Sequence, residues 1–253
     1  MDEIIINESF ADDNVDMLFD KVEKNDFSSQ EMLSLKVSAE EINKKNEINE
    51  LISWDVVKKN LEYHFAYQKE GALKILKDFN CTALLADEVG LGKTITTGIV
   101  LKECIMRGFT KKILILTPPS LVDQWVAELK EKFELDFTII ESDKDWKNTN
   151  FAIASIDRVK AYNREIGEFR HKDAHDIQWD LLVVDEAHKL KSRTTTRWRF
   201  VDKIKKKRFL ILTATPFQND LLELYNLLHI LKRGHLGTVQ EFRKNFLNRG
   251  NKR

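Results

Sequence analysis

One stretch of this sequence combines the side chains that bind a nucleotide phosphate. It runs from Ala86 to Thr94, reads A-D-E-V-G-L-G-K-T, and follows an apolar run that suits a buried strand. Glycines at positions 90 and 92 let the backbone approach a phosphate with its N–H groups turned inward. Lys93 would reach the β- and γ-phosphates, and the Thr94 hydroxyl would bind Mg²⁺. The spacing therefore predicts a phosphate-binding loop, although the general pattern has Gly where this chain has Asp87.

A second reactive group, Asp185-Glu186-Ala187-His188, ends another apolar run. An acid at a strand end opposite a phosphate loop usually holds Mg²⁺, and a second acid can polarise water for attack on the γ-phosphate. Asp185 is therefore the predicted metal ligand and Glu186 the predicted catalytic base, with ATP and Mg²⁺ as cofactors. The alternative interpretation is a solvated acidic strand end without a catalytic role.

The elements that must position these groups follow an α/β pattern. Strands made of uninterrupted Leu, Ile and Val are buried on both faces, which predicts a mainly parallel sheet flanked by helices. Ligands of such sheets bind at the carboxyl ends of the strands. The predicted strands are Thr82–Ala86, Lys112–Thr117, Phe137–Glu141, Phe151–Ser155, Leu181–Asp185 and Phe209–Thr213. The predicted helices are Ala66–Asp78, Lys93–Arg107, Leu121–Phe133, Ile156–Glu165, Thr195–Lys206 and Asp220–Leu231, the third with a capping pair at Ser120 and Asp123.

The first 62 residues differ from the rest in composition. They carry 16 acidic and 7 basic side chains, a net charge of −9, and contain neither Gly nor Pro. We predict an acidic N-terminal extension over residues 1–62, partly helical or disordered, with one short helix capped by Ser38 and Glu41 and another at Trp54–Leu61. Residues 189–253 carry 17 basic and 4 acidic side chains, a net charge of +13. A basic surface of this kind could bind phosphates. Lysines that merely solvate helix faces are the alternative.

Length and composition exclude several other classes of protein. At 253 residues with 42% hydrophobic and 32% charged side chains, the chain is long and apolar enough to fold around its own core. Its longest apolar runs are strand-sized, far below the roughly 20 residues of a membrane span. Two cysteines without a second pair exclude a disulfide framework or a zinc ribbon. We therefore expect a cytoplasmic protein with no membrane contact.

The order of the motifs resembles that of superfamily 2 helicase-like ATPases, and within them the Snf2 family. Tyr67-Gln68 with Gly71 resembles the Q motif, residues 86–94 motif I, and L-T-P-P-S-L-V-D-Q-W at 116–125 motif Ia. Residues 154–158 resemble motif Ib, D-E-A-H at 185–188 motif II, and L-T-A-T-P at 212–216 motif III. Val89, Ile95 and Gly98 are similar to the bacterial RNA-polymerase-associated Snf2-like ATPases. The resemblance implies the first RecA-like P-loop NTPase lobe of such an enzyme, over residues 63–253.

This resemblance also implies roles for individual residues. Adenine would be read by Gln68, and the phosphates would be bound by Asp87, Glu88, Val89, Gly90, Leu91, Gly92, Lys93 and Thr94. A nucleic-acid backbone would contact Thr117, Pro118, Ser120, Gln124, Ser155 and Arg158. Coupling between the two sites would involve His188, Thr213 and Thr215. Each of these has a structural alternative: a surface glutamine, a helix cap, a solvated arginine or a satisfied core histidine.

The family's motor has two lobes, and this sequence accounts for one. No Q-x-x-G-R-x-x-R string occurs in it. We expect an ATPase that acts on double-stranded DNA in the intact protein, with the second lobe supplied in cis or in trans and this lobe alone weakly active or inactive. A strand-separating DNA or RNA helicase remains open, as does a single-lobe regulatory module without turnover. The oligomeric state is not predicted.

Overall fold

The computed structural model of the chain describes residues 48–61, 63, 65–88, 90–216 and 221–247. Three predicted features lie outside the described residues: the capping pair Ser38 and Glu41, the loop residue Val89, and the first residue of the helix predicted at Asp220–Leu231. The α-helices are α1 (Trp54–Asn60), α2 (Ala66–Lys77), α3 (Lys93–Met106), α4 (Val122–Phe133), α5 (Ile156–Val159), α6 (Asp173–Asp176), α7 (Thr196–Lys203), α8 (Leu221–Leu231) and α9 (Val239–Phe242). Short 3₁₀ helices span Pro119–Leu121, Asp143–Asn148 and Ala187–Leu190, and a π turn spans Arg243–Leu247.

Six strands form one parallel sheet in the order β1-β8-β7-β2-β4-β3. They are β1 (Ala83–Leu85), β2 (Ile113–Thr117), β3 (Thr138–Ile139), β4 (Phe151–Ser155), β7 (Trp179–Val184) and β8 (Lys206–Leu212). Strand β2, apolar except for its last residue Thr117, is buried along its whole length, as expected for a central strand covered on both faces. One core cluster lies between the sheet and α1 to α4, and a second lies on the other face with α5 to α8. The predicted α/β class with a mainly parallel sheet is confirmed.

Two predicted helices were wrong in extent. The helix predicted at Ile156–Glu165 ends at Val159, and the chain then forms an antiparallel hairpin of β5 (Tyr162–Asn163) and β6 (Glu168–Phe169). The hairpin is favoured because the Tyr162 and Phe169 rings pack edge to face at 5.1 Å and Gly167 supplies a positive φ of 70° in the turn.

The helix predicted at Thr195–Lys206 ends at Lys203, because Ile204 turns into extended backbone and buries its side chain. Strand β8 consequently begins at Lys206, opposite Trp179, three residues before its predicted start. The predicted cap of α4 was also wrong. Ser120 lies exposed inside the 3₁₀ turn Pro119–Leu121, and neither that turn nor α4 has a side-chain cap.

Residues 48–61, which we placed in the extension, pack into the main core through Ile48, Leu51, Val57 and Leu61. The buried carboxylate of Glu103 on α3 fixes the start of this segment. It accepts the backbone N–H groups of Ile52 at 3.0 Å and Ser53 at 2.8 Å. The remaining division of the chain at residue 62 stays a prediction. Among the described residues, none of the helices has the length and apolar character needed to cross a membrane.

Candidate active site

The predicted site residues collect along one edge of the sheet, where the parallel strands end. The candidate phosphate loop, residues 86–92, follows β1, and Thr213 follows the adjacent β8. Asp185 follows β7, the next strand, and the last residues of β2 and β4, Thr117 and Ser155, face each other in register. Because neighbouring strands lie about 4.8 Å apart, the phosphate loop and Asp185 are separated by about 10 Å. A phosphate–metal group can bridge a gap of this size.

Two glycines give the candidate phosphate loop its shape. Gly90 and Gly92 have φ values of 87° and 76°, a left-handed conformation that costs other residues energy. The space around position 92 also excludes a side chain, because a Cβ there would lie 2.3 Å from Nε2 of Gln68. Helix α3 begins at Lys93, directly after Gly92, so its positive dipole end points into the loop.

The Q-motif residues hold this loop from outside. The Tyr67 hydroxyl donates to the Leu91 carbonyl at 2.8 Å, and Gln68 Nε2 donates to the same oxygen at 3.4 Å. Gln68 is 4% exposed, and its Oε1 accepts the backbone N–H of Phe65 at 3.3 Å. The structure therefore places Gln68, in the first turn of α2, against the phosphate loop. Its predicted contact with adenine stays a prediction.

Lys93 lies over the loop rather than pointing into solvent. Its Nζ donates to the carbonyl oxygens of Asp87 at 2.8 Å and Glu88 at 3.0 Å. These are neutral acceptors, so the ammonium charge is held at the loop without a carboxylate partner in the described part of the chain. Thr94 follows it in the first turn of α3, half-buried. Both side chains are therefore available to a phosphate and its metal.

Asp185 is a buried carboxylate held by neutral donors. Its Oδ2 accepts from the Trp125 indole at 2.9 Å and the Thr117 hydroxyl at 3.4 Å, and its Oδ1 accepts from the Glu186 backbone N–H at 2.8 Å. Burial raises the pKa of Asp185 above its usual value, and the Trp125 and Glu186 hydrogen bonds offset part of that rise. Among the described residues, no Lys or Arg forms an ion pair with it. A bound cation would offset the free-energy cost of burying the ionised carboxylate.

Glu186 has a backbone conformation that is unusual for its residue type. Its φ and ψ are 51° and 46°, in the left-handed region that non-glycine residues adopt at a cost of about 1–3 kcal/mol. Its Oε2 lies 2.9 Å from Nδ1 of His188, and both side chains are partly exposed. The predicted base and the predicted coupling histidine are therefore in direct contact. Backbone strain of this kind is frequent at functional sites.

The motif III residues Thr213 and Thr215 lie between the two halves of the site. The Thr213 backbone N–H donates to the Leu85 carbonyl at 3.1 Å, which joins it to the strand that leads into the phosphate loop. Its hydroxyl, fully buried, accepts the Thr215 N–H at 3.2 Å. This arrangement fixes the turn after β8 next to the phosphate loop. The coupling role assigned to both threonines stays a prediction.

The predicted nucleic-acid residues are divided between buried and exposed positions. Thr117, Pro118 and Ser155 are buried, and the Ser155 hydroxyl accepts the N–H of Arg158 at 3.4 Å as the cap of α5. Ser120 and Gln124 are exposed, and Gln124 donates to Glu128 at 2.8 Å. Arg158 is 49% exposed and lies 3.9 Å from Glu141. The structure brings all six to the ends of β2 and β4 and the adjoining helices.

Sequence reasoning missed Trp125 as a functional residue. It is 2% exposed and donates the shortest side-chain hydrogen bond that Asp185 receives. Trp125 directly follows Gln124 on α4, so one helix turn carries both a candidate nucleic-acid contact and an anchor of the candidate metal ligand. Its position at the end of the motif Ia string was the only signal in the sequence, and an apolar core role explained it equally well.

Comparison with known proteins defines the family. A family model described as the SNF2-related domain matches residues 21–252. The chain belongs to the SNF2-related family. Among curated relatives, an uncharacterized ATP-dependent helicase of Bacillus subtilis, YqhH, is 45% identical over 181 residues, covering 71% of this chain and 31% of the relative. The RNA polymerase-associated protein RapA of Photobacterium profundum is 34% identical over 150 residues, 53% of this chain and 15% of RapA.

Solved SNF2 structures have the same fold. The SWI2/SNF2 ATPase core of Sulfolobus solfataricus in complex with double-stranded DNA matches with a TM-score of 0.64 at 24% identity, covering 75% of this chain and 40% of that one. The core domain from the same organism gives a TM-score of 0.60. The predicted family and its fold are thus confirmed, and the chain spans less than a third of the two curated relatives described above.

Proposed function

We propose that this chain is the ATP-binding lobe of an SNF2-type ATPase that, in its intact form, uses ATP and Mg²⁺ to move along double-stranded DNA. One observation carries the proposal: a phosphate-loop candidate, a buried acid and a set of motif Ia and Ib residues lie side by side at one edge of the sheet. The names of the relatives, an ATP-dependent helicase and an RNA polymerase-associated protein, support it, as does the DNA-bound SNF2 core. The thiols of Cys81 and Cys104 form no disulfide and lie 3.1 Å apart in a hydrogen bond, which suits a reducing cytoplasm.

The donor set of the site fits ATP with Mg²⁺. Lys93 and the N–H groups at the start of α3 offer positive charge to the phosphates. The Thr94 hydroxyl and the Asp185 carboxylate are hard oxygen donors of the kind that Mg²⁺ prefers, and Asp185 lacks a protein cation in the described residues. When bound, the metal would neutralise charge on the transferred phosphoryl group.

Glu186 is the proposed base for the attacking water. Its contact with His188 at 2.9 Å holds the carboxylate beside the site, where nucleic-acid or phosphate binding could reorient it. Charge that develops on the phosphoryl group also needs a cation from the opposite side, which is worth about 10³–10⁵ in rate when an arginine finger supplies it. We therefore expect residues 1–253 alone to turn over slowly, and a second lobe to restore the rate.

The proposed nucleic-acid contact lies at Thr117, Ser120, Gln124, Ser155 and Arg158, together with Pro118. The exposed members are polar or cationic and suit a phosphate backbone rather than base edges. We propose double-stranded DNA as the polymer, bound without sequence preference. Strand separation and binding without turnover are distinguished from this proposal by the assays below, because the first yields displaced strands and the second yields no phosphate.

Nucleotide binding is tested by calorimetry with Mg·ADP on the wild type, Lys93→Ala and Lys74→Ala. Lys74 is an exposed lysine of α2 and serves as the control for loss of one positive charge. We expect Lys93→Ala to weaken binding by about 1.5–3 kcal/mol, the contribution of a charge-assisted hydrogen bond, and Lys74→Ala to have no effect. Equal affinity for Lys93→Ala and the wild type would contradict the assignment.

Catalysis is tested by phosphate release with and without duplex DNA, using residues 1–253 alone and joined to a second lobe. The joined protein should be stimulated by DNA, and Glu186→Gln should abolish that activity while Mg·ADP still binds. Brisk DNA-stimulated turnover by residues 1–253 alone would refute the need for a cation from a second lobe. Strand displacement by the joined protein would instead favour a conventional helicase.

A further inference from the structure

A basic cleft lies at the opposite edge of the sheet, where the strands begin. It has a volume of about 380 Å³ and is formed by the end of α7, the start of β8, the residue before β1 and the end of α8. We call it the amino-edge cleft. Strand β8 runs seven residues from this cleft to the candidate active site, or about 20 Å at 3.3 Å per residue. The cleft is therefore separate from the nucleotide site.

Positive charge in the amino-edge cleft greatly exceeds negative charge. Its lining includes one carboxylate, Asp202, which pairs with Arg233 at 2.6 Å. Lys207 reaches outside the lining to Asp180 at 2.8 Å. The six cations of the lining are Lys203, Lys205, Lys206, Lys207, Arg208 and Arg233. Four of them, Lys203, Lys205, Lys206 and Arg208, have no ion pair with any carboxylate in the described part of the chain.

Two of these four cations, the buried Arg208 and the half-buried Lys206, donate to neutral oxygens. Arg208 is 7% exposed and donates to Asn80 Oδ1 at 3.2 Å and to the Phe109 carbonyl at 3.1 Å. Lys206 donates to the carbonyls of Val201 and Ile204 at 3.3 Å and 3.2 Å. Hydrogen bonds to neutral oxygens satisfy the donors but leave the charge uncompensated. An anion entering the cleft would supply the missing negative charge.

Extended backbone is what gathers these cations in one place. A helix through residue 206 would have distributed the lysines around its circumference. Instead α7 ends at Lys203, and the backbone that follows leaves Lys203, Lys205 and Lys207 exposed and Lys206 and Arg208 less exposed. Two residues of extended backbone advance about 6.6 Å, close to two base-pair steps of 3.4 Å each. Lys203 and Lys205, the two exposed lysines of the cleft without an ion pair in the described residues, are two residues apart and can therefore meet phosphates along one nucleic-acid strand. A single small anion would not need both of them.

We propose that the amino-edge cleft is a second nucleic-acid contact surface, which binds backbone phosphates at the opposite edge of the sheet from the contact at the carboxyl edge, about 20 Å away along the strand direction. A duplex held at motifs Ia and Ib lies at the far end of the strands, so the cleft would take a separate segment of the same polymer or a second polymer. The proposal goes beyond the function proposed above, because it needs neither ATP hydrolysis nor the motif residues.

The test compares duplex DNA binding by fluorescence anisotropy across a salt series, using residues 1–253. The variant is Lys203→Ala/Lys205→Ala, and the control, equal in charge, is Lys59→Ala/Lys74→Ala on the exposed surfaces of α1 and α2. The slope of log affinity against log salt should fall in magnitude by about 2 for the cleft variant, as two phosphate contacts are lost, and stay unchanged for the control. Mg·ADP affinity should be the same in all three proteins.

Three outcomes would overturn the proposal. The cleft variant could bind duplex as the wild type does, the control could lose as much affinity as the variant, or the wild type could fail to bind duplex at low salt. A parallel titration with inorganic tripolyphosphate separates a free anion from a polymer. If tripolyphosphate binding is lost in the cleft variant while DNA binding is retained, the cleft takes a small anion and the nucleic-acid assignment fails.

Arg158→Ala, measured in the same way, keeps this proposal distinct from the one above. Duplex binding that survives Arg158→Ala but falls in the cleft variant supports the cleft and contradicts the contact at the carboxyl edge. Duplex binding that falls in Arg158→Ala but not in the cleft variant supports the contact at the carboxyl edge and contradicts the cleft. A reduction by both variants supports two surfaces.

Discussion

Trp125→Phe tests whether the indole of Trp125 positions the candidate metal ligand. The substitution keeps an aromatic ring in the core and removes the N–H that donates to Asp185 at 2.9 Å. A hydrogen bond to a charged group contributes about 1.5–3 kcal/mol, and its loss leaves Oδ2 of Asp185 with only the Thr117 hydroxyl, at 3.4 Å. For a chain of this size, that loss corresponds to a fall in melting temperature of roughly 3–12 °C.

The matched control is Trp179→Phe, which removes the same atoms from another buried tryptophan. The Trp179 indole donates to a neutral carbonyl, that of Ala174, at 3.1 Å. Both variants should therefore lose stability through the smaller ring and the missing hydrogen bond, but only Trp125→Phe should change the behaviour of Asp185. We expect weaker Mg·ADP binding and a higher Mg²⁺ requirement in Trp125→Phe alone, measured by calorimetry at several Mg²⁺ concentrations.

A spectroscopic measurement separates positioning from simple destabilisation. With ¹⁵N-labelled tryptophan, the indole N–H signal that is missing from Trp125→Phe should shift when Mg·ADP is added to the wild type, and the Trp179 signal should not. If Mg·ADP binds both variants equally well and the Trp125 signal stays unchanged, the indole has only a packing role and the reasoning fails.

Three further predictions concern the scaffold. Gly98→Ala should lower the free energy of unfolding by about 1–3 kcal/mol, because a Cβ there would lie 2.2 Å from the Phe133 ring. The control Gly71→Ala should be neutral or stabilising, because its Cβ would lie 3.7 Å from Thr96 Cγ2. Denaturant titrations compare the two variants. Burial lowers the pKa of Lys206 to about 8 in the folded protein, below its ordinary value of 10.5. Between these two pH values the unfolded chain binds a proton that the folded protein has lost, so the free energy of unfolding should rise as pH increases from about 8 to 10.5. Lys206→Met should remove that rise in denaturant titrations at about pH 7 and about pH 10. Glu103→Ala should leave the N–H groups of Ile52 and Ser53 without their acceptor and so speed hydrogen exchange and proteolysis around residues 48–54. Unchanged exchange there would contradict the role of Glu103 in holding this segment.

The positions of strands could be predicted from sequence where a strand is buried on both faces of the sheet. Phe151–Ser155 is observed with its predicted bounds, and β2 starts one residue later than predicted, because continuous apolar runs in a parallel sheet are insensitive to local detail. The hairpin of β5 and β6 was missed because its stability comes from the packing of Tyr162 on Phe169, seven residues apart, and periodicity within one segment does not reveal such a contact. Lys206 was assigned to a helix for the same reason, since its strand pairing with Trp179 is non-local.

Within the candidate site, the residues on strand ends could be placed from sequence and their partners could not. A parallel sheet forces the residues that follow β1, β8, β7 and β2 to one edge, so the proximity of Lys93, Thr213 and Asp185 follows from topology alone. The Trp125–Asp185 hydrogen bond joins residues 60 positions apart, and the Glu186–His188 contact depends on a left-handed backbone conformation at Glu186. Neither leaves a periodic signal in the sequence.

These contacts give a short physical route between the two proposed ligands. Ser155 at the nucleic-acid side pairs in register with Thr117, and Thr117 donates to Asp185 at the metal side. Trp125 makes a second connection, from the helix turn that carries Gln124. A shift of the motif Ia turn by a few tenths of an ångström would change two of the donors to Asp185 while the strands stay fixed. Coupling of nucleic-acid binding to the metal site would then need no movement of the sheet, and by thermodynamic linkage the nucleotide would affect nucleic-acid affinity to the same extent.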